Sequence, residues 1–156
     1  MSELAHIDFL PNTVGEAPDD AELQETEDLL GRPLEPSYVE FLRRSNGGAP
    51  VQRYFSLGKN VKVVERFLCV VPRTPENEAL AEYNVGAVWS QIVDRLMGQV
   101  PFAAIFPGDF LCFDYNQGEP PLPVVWWNHD KSREDKPDLT PVAASFAEFL
   151  KLLRDK

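Results

Sequence analysis

Lysine and arginine are absent from the first 31 residues of this 156-residue chain, a stretch that holds nine acidic side chains. Beyond it sixteen acids face fifteen bases, so nearly all of the formal net charge of −10 lies at the N-terminal end. A concentrated negative field repels nucleic-acid phosphates and anionic membranes and draws in basic partners. Nucleic acid and membrane are therefore excluded, and a basic protein is the expected partner. The plainer use of such a cluster is a solvated helix face that keeps the protein soluble.

Histidine is nearly missing as well, with His6 and His129 alone. No H-E-x-x-H or other periodic ligand spacing occurs, and Cys69 and Cys112 match no zinc pattern. Both cysteines sit in apolar segments and read as buried, reduced thiols. G-x-S-x-G, S-x-x-K and the phosphate-cradling glycine loops are absent too. The sequence calls for no cofactor. No apolar run approaches the ~20 residues that span a bilayer. The N-terminus has no basic n-region, so no secretory signal is expected and the expected location is the cytoplasm.

What is present is a chain sized for one domain, since domains commonly run ~100–200 residues. Residues 1–18 read as an arm packed on a core spanning 19–154. "APDDAELQETEDLLG" is expected to be a helix, with Asp19 or Asp20 capping its start and Gly31 ending it. Pro36 suits the first position of a second helix, on which Tyr38, Phe41, Leu42 and Ser45 form one stripe. Asn46-Gly47-Gly48 is expected to stop it.

Two β-rich segments follow, with a turn at Gly58-Lys59-Asn60. Strict alternation would place Val61, Val63, Glu65, Phe67, Cys69 and Val71 on one face. Residues 72–78 read as a polar loop. Val85, Val88, Trp89, Ile92, Val93 and Leu96 give a third helix, closed by Gly98. Three short strands are expected at "VPFAAIF", "FLCFDY" and "PVVWW", the last placing Trp126 and Trp127 on opposite faces. "SFAEFLKLLRDK" ends the chain as a helix with a capping box at Ser145 and Glu148. Turn-linked strands imply antiparallel pairing, so the fold class is α+β: a mainly antiparallel sheet with an N-terminal helical hairpin, a middle helix and a C-terminal helix packed on it.

"EDLLG" followed by "PLEPSYVEFLRRSNGG" resembles the motif that opens the SUKH superfamily, the Smi/Knr-like domain, through Glu27, Gly31, Leu34, Tyr38, Asn46, Gly47 and Gly48. "VPFAAIFPGDFLCFDYNQ" is similar to the family's later hairpin through Pro101, Phe102, Ala103, Gly108, Asp109, Cys112 and Asp114. One departure is plain: the family's proline after leucine is Glu35 here, with Pro36 one place later. The resemblance implies a sheet with helices packed on it and a binding protein in place of an enzyme. It also implies that the motif residues are mainly structural. Bacterial members bind and neutralise toxins, often nucleases or deaminases, and fungal members regulate cell-wall synthesis. The acids Asp19, Asp20, Glu22, Glu25 and Asp28 are the candidate protein-binding residues. Two other readings stay open: a regulatory module with an endogenous partner, and a small metal-dependent hydrolase built on Asp109, Asp114 and His129.

Overall fold

The computed structural model describes residues 6–156; Glu3, counted above among the N-terminal acids, lies outside them. Two helices, α1 (Asp20–Leu30) and α2 (Pro36–Arg44), precede a hairpin of β1 (Tyr54–Leu57) and β2 (Asn60–Phe67). A short helix α3 (Glu78–Ala81) and α4 (Val85–Ile92) lead to β3 (Gln99–Ile105), β4 (Asp109–Asp114), β5 (Val124–Trp127) and β6 (Leu139–Ala143), and α5 (Phe146–Leu152) follows. The six strands lie in chain order in one sheet, each antiparallel to its neighbours. The class is α+β, as the sequence predicts.

Alternation along the strands gives the sheet two apolar faces. One receives α2 and α5: Tyr38, Phe41, Phe146 and Phe149 pack against Phe67, Phe102 and Phe113, all with almost no exposure. Phe102 and Phe113 stack at 4.3 Å between centroids, and Phe41 meets Phe67 at 4.9 Å. Each such side chain contributes about 1.5–3 kcal/mol by leaving water. On the other face Cys112, Val125 and Trp127 pack with Ile92 and Leu96. Trp127 is fully buried, whereas Trp126, on the first face, is half-buried with the Lys62 ammonium 3.9 Å from its ring centroid. Contact between β2 and β5, which are not neighbours, shows how strongly the sheet curls.

Four local expectations need correction. Val61 and Glu65 are exposed, while Val64 and Phe67 are both fully buried. A bulge between Val64 and Arg66 inserts one residue and reverses the alternation. Residues 75–77 form a single 3-10 turn running into α3, inside what reads as a loop. Beyond Ile92 the chain tightens into another 3-10 turn at Val93–Arg95, which leaves Val93 exposed. Finally, β6 goes unpredicted because Pro141 sits within it. An outer strand tolerates that ring, since only one side of its backbone must pair.

Candidate protein-binding site

The acidic helix begins with a reciprocal cap. Glu22 N–H donates to Asp19 Oδ1 at 2.8 Å, and Asp19 N–H donates to Glu22 Oε1 at 2.9 Å. Asp20 pairs with Arg43 at 2.8 Å, and both side chains are well exposed. Such a pair is worth about 0.2–1 kcal/mol. Asp28 accepts from Gln24 Nε2 at 2.9 Å, one turn back. Glu25 enters none of the ion pairs among the described residues. Of the five candidate binding acids, then, Asp19 and Glu22 hold the helix start, Asp20 and Asp28 have side-chain partners, and Glu25 has no ion-pair partner among the described residues. Asp20, Glu25 and Asp28 all project into solvent.

Gly31 closes α1 at φ 75°, and Glu27 Oε2 then accepts the Leu34 N–H at 2.7 Å across the turn. Glu35, which departs from the resembled motif, is buried. It caps α2 through Ser37 and accepts the Leu122 N–H at 3.0 Å, tying the helical hairpin to the segment before β5. Sequence reading missed that role; an acid directly before a helix-starting proline was the available signal.

Asn46, Gly47 and Gly48 do something other than stop a helix. Ser45, in extended conformation, ends α2. Asn46 then donates to the Glu16 and Val70 carbonyls at 2.7 and 2.8 Å and accepts the Val70 N–H at 2.9 Å. Gly47 lies so close to the end of β2 that a Cβ would sit 2.8 Å from Cys69 Cβ. Gly48 exchanges two backbone hydrogen bonds with Phe67. The motif is a clasp holding arm, helix and strand together.

Val70, held by that clasp, and residues 71–73 after it line a cleft of about 520 Å³. Glu22, Glu25, Thr26 and Leu29 of α1 line one side, and Ala81, Ala87 and Ser90 line the other. Leu29 is 53% exposed there. Nothing in the sequence marks this cleft, because its walls come from three separate segments.

Asp109 and Asp114 sit at opposite ends of β4 and serve different ends. Asp109 accepts from Trp126 Nε1 at 2.9 Å and from the His129 N–H at 2.9 Å, and its Oδ1 lies 2.5 Å from His129 Nδ1. Asp114 caps the turn after β4 and receives Asn116, Gln99 and Gln117. The three residues of the hydrolase reading therefore do not converge, and no group of three or more potential ligands able to hold a metal occurs among the described residues. Cys69 and Cys112 are buried and unpaired; burial pushes the Cys69 thiol up to about 11 and the Cys112 thiol higher. No helix of the described chain is long and apolar enough to cross a membrane.

Set against known protein families, residues 17–152 match the SMI1 / KNR4 family (SUKH-1). No curated protein matches the chain.

Proposed function

The chain belongs to the SMI1 / KNR4 family (SUKH-1), whose members are protein-interaction and immunity-type modules and generally not enzymes; from that premise we propose that it is a non-catalytic immunity protein that binds and neutralises a basic bacterial toxin, such as a nuclease. The observation that carries this reading is the exposed acidic face of α1, where Asp20, Glu25 and Asp28 project into solvent and no lysine or arginine occurs on the helix. Nuclease toxins present basic substrate-binding surfaces. An inhibitor of opposite field gains association rate and covers the cleft that nucleic acid would enter. Cytoplasmic residence follows from the same role, because a self-protecting inhibitor meets its toxin inside the producing cell.

The test is binding to toxins encoded beside this gene, measured by association kinetics at salt between about 50 and 300 mM, a range over which charge steering is strongly screened. Asp20→Lys, Glu25→Lys and Asp28→Lys together are expected to slow association about tenfold and flatten its salt dependence. Unchanged kinetics would move the docking face off α1. Absence of any toxin partner, with an endogenous protein captured instead, would replace immunity with regulation.

A further inference from the structure

The cleft behind α1 has the chemistry of an anchor pocket. Its floor and walls are largely apolar, with Leu29, Val70, Val71, Ala81 and Ala87, and the polar groups there are mostly spent internally. The carbonyls of Val70, Val71 and Pro72 already accept from Asn46, Asn84 and Asn77 at 2.8, 2.7 and 3.3 Å. Thr26 Oγ1 and Ser90 Oγ each donate to a carbonyl of their own helix. With those carbonyls occupied, the floor is poorly suited to adding a strand, and recognition falls to side chains. A second hollow of about 330 Å³, lined by Thr74, Pro75 and Glu78, shares Arg73 and Ala81 with the first, so the two adjoin. Three carboxylates, Glu22, Glu25 and Glu78, border them against the single guanidinium of Arg73. Glu25, Glu78 and Arg73 enter no ion pair among the described residues.

We propose that this groove between α1 and α4 binds a lysine- or arginine-rich segment of a partner protein that inserts one apolar side chain against Leu29, Val71 and Ala87 while its cations meet Glu22, Glu25 and Glu78. An apolar hollow with a few placed charges is the usual form of a specific site. The charge balance selects the occupant. A second copy of this chain, nucleic acid or an anionic surface would bring negative charge to a negative rim, whereas a basic segment satisfies both rim and floor. The inference rests on the basic-partner reading above and adds the anchor and its place. Gly86 shapes the wall, since a Cβ there would lie 2.7 Å from Leu29 Cδ2.

The probe is a short labelled peptide with lysines around one central leucine, beside a twin carrying serine for leucine, titrated into the full chain and followed by backbone amide NMR. The leucine peptide is expected to shift residues 22–29, 70–73 and 81–90 and to bind roughly tenfold more tightly than the serine twin. Ser90→Trp, at an exposed wall position, and Ala87→Phe, as a second filling variant, should each remove that difference while keeping the wild-type circular dichroism. Shifts mapping elsewhere, or equal affinity of the two peptides, would overturn the anchor and leave the basic partner standing. Leucine-dependent binding in the groove that Glu25→Lys leaves unchanged would overturn the role assigned to the carboxylates there.

Discussion

The hydroxyl of Tyr38 donates to the Leu68 carbonyl at 2.7 Å inside a cluster of phenylalanine rings, where neither group meets water. This bond joins α2 to the residue just past β2, beside the Asn46 clasp. Tyr38→Phe keeps the ring packing and leaves the carbonyl without this partner, a change expected to cost about 1–3 kcal/mol. Urea unfolding of the two proteins at neutral pH measures it. Equal midpoints would show that the carbonyl finds another donor.

The same burial makes the fold sensitive to alkali. The hydroxyls of Tyr38 and Tyr115 and the thiols of Cys69 and Cys112 all have their ionisation pushed upward, mainly by burial. For Tyr115 the Glu35 carboxylate adds to the effect and the Arg32 guanidinium opposes it. Each group folds in its neutral form, so its contribution is fully present below its unfolded value and is lost as pH climbs from there through the folded one. With Cys69 moving from 9.0 to about 11, stability should begin to fall near pH 9 and keep falling toward 11. Cys112→Ala is expected to blunt the fall. A denaturation midpoint constant across that window would contradict it.

Gly47 and Gly31 share a left-handed backbone, at φ 76° and 75°, but not their surroundings. Beyond Gly31 a methyl group meets nothing within 4 Å, whereas at Gly47 it strikes Cys69 and the Phe67 carbonyl. Gly31→Ala should therefore cost only the conformational term of about 1–2 kcal/mol. Gly47→Ala should cost roughly 1–3 kcal/mol more from overpacking. Thermal melts of both variants in parallel decide the order.

Asp109→Ala withdraws the acceptor from Trp126 Nε1 and from the backbone of His129. Two donors lose their partner, so a loss of about 2–4 kcal/mol is expected, with faster hydrogen exchange in residues 126–132. If Asp109 instead served chemistry, the variant would keep its stability, and calorimetry separates the two outcomes.

Four of the five helices, α1, α2, α4 and α5, were legible in the sequence because their signals are local, whereas the single turn of α3 was not. The stripe from Tyr38 to Ser45, the Asp19 cap and Gly31 each lie within a few residues of what they control. The reversal of faces in β2 was not legible, since a bulge depends on what β3 presents opposite it. Strand β6 was hidden by Pro141, whose acceptability depends on an unpaired edge that no single segment reveals. At the candidate site, the acids of α1 could be read one by one. Their division into caps, pairs and a Glu25 with no ion-pair partner among the described residues required knowing that Arg43 returns to Asp20. The cleft, assembled from residues 22–29, 70–73 and 81–90, left no trace in any one stretch.

Tyr54 and Arg154 exchange both backbone hydrogen bonds at 3.1 and 2.9 Å, so the outer edge of β1 is pinned at its first residue by one some hundred positions further along. During synthesis that edge stays open until the roughly hundred residues between Tyr54 and Arg154 have emerged from the ribosome, and the nascent hairpin of β1 and β2 must wait beside other unfinished chains. Contacts this distant slow folding, and an unpaired border is where newborn polypeptides stick together. Yield in the cell should thus depend on residue 154 more than its exposed position suggests.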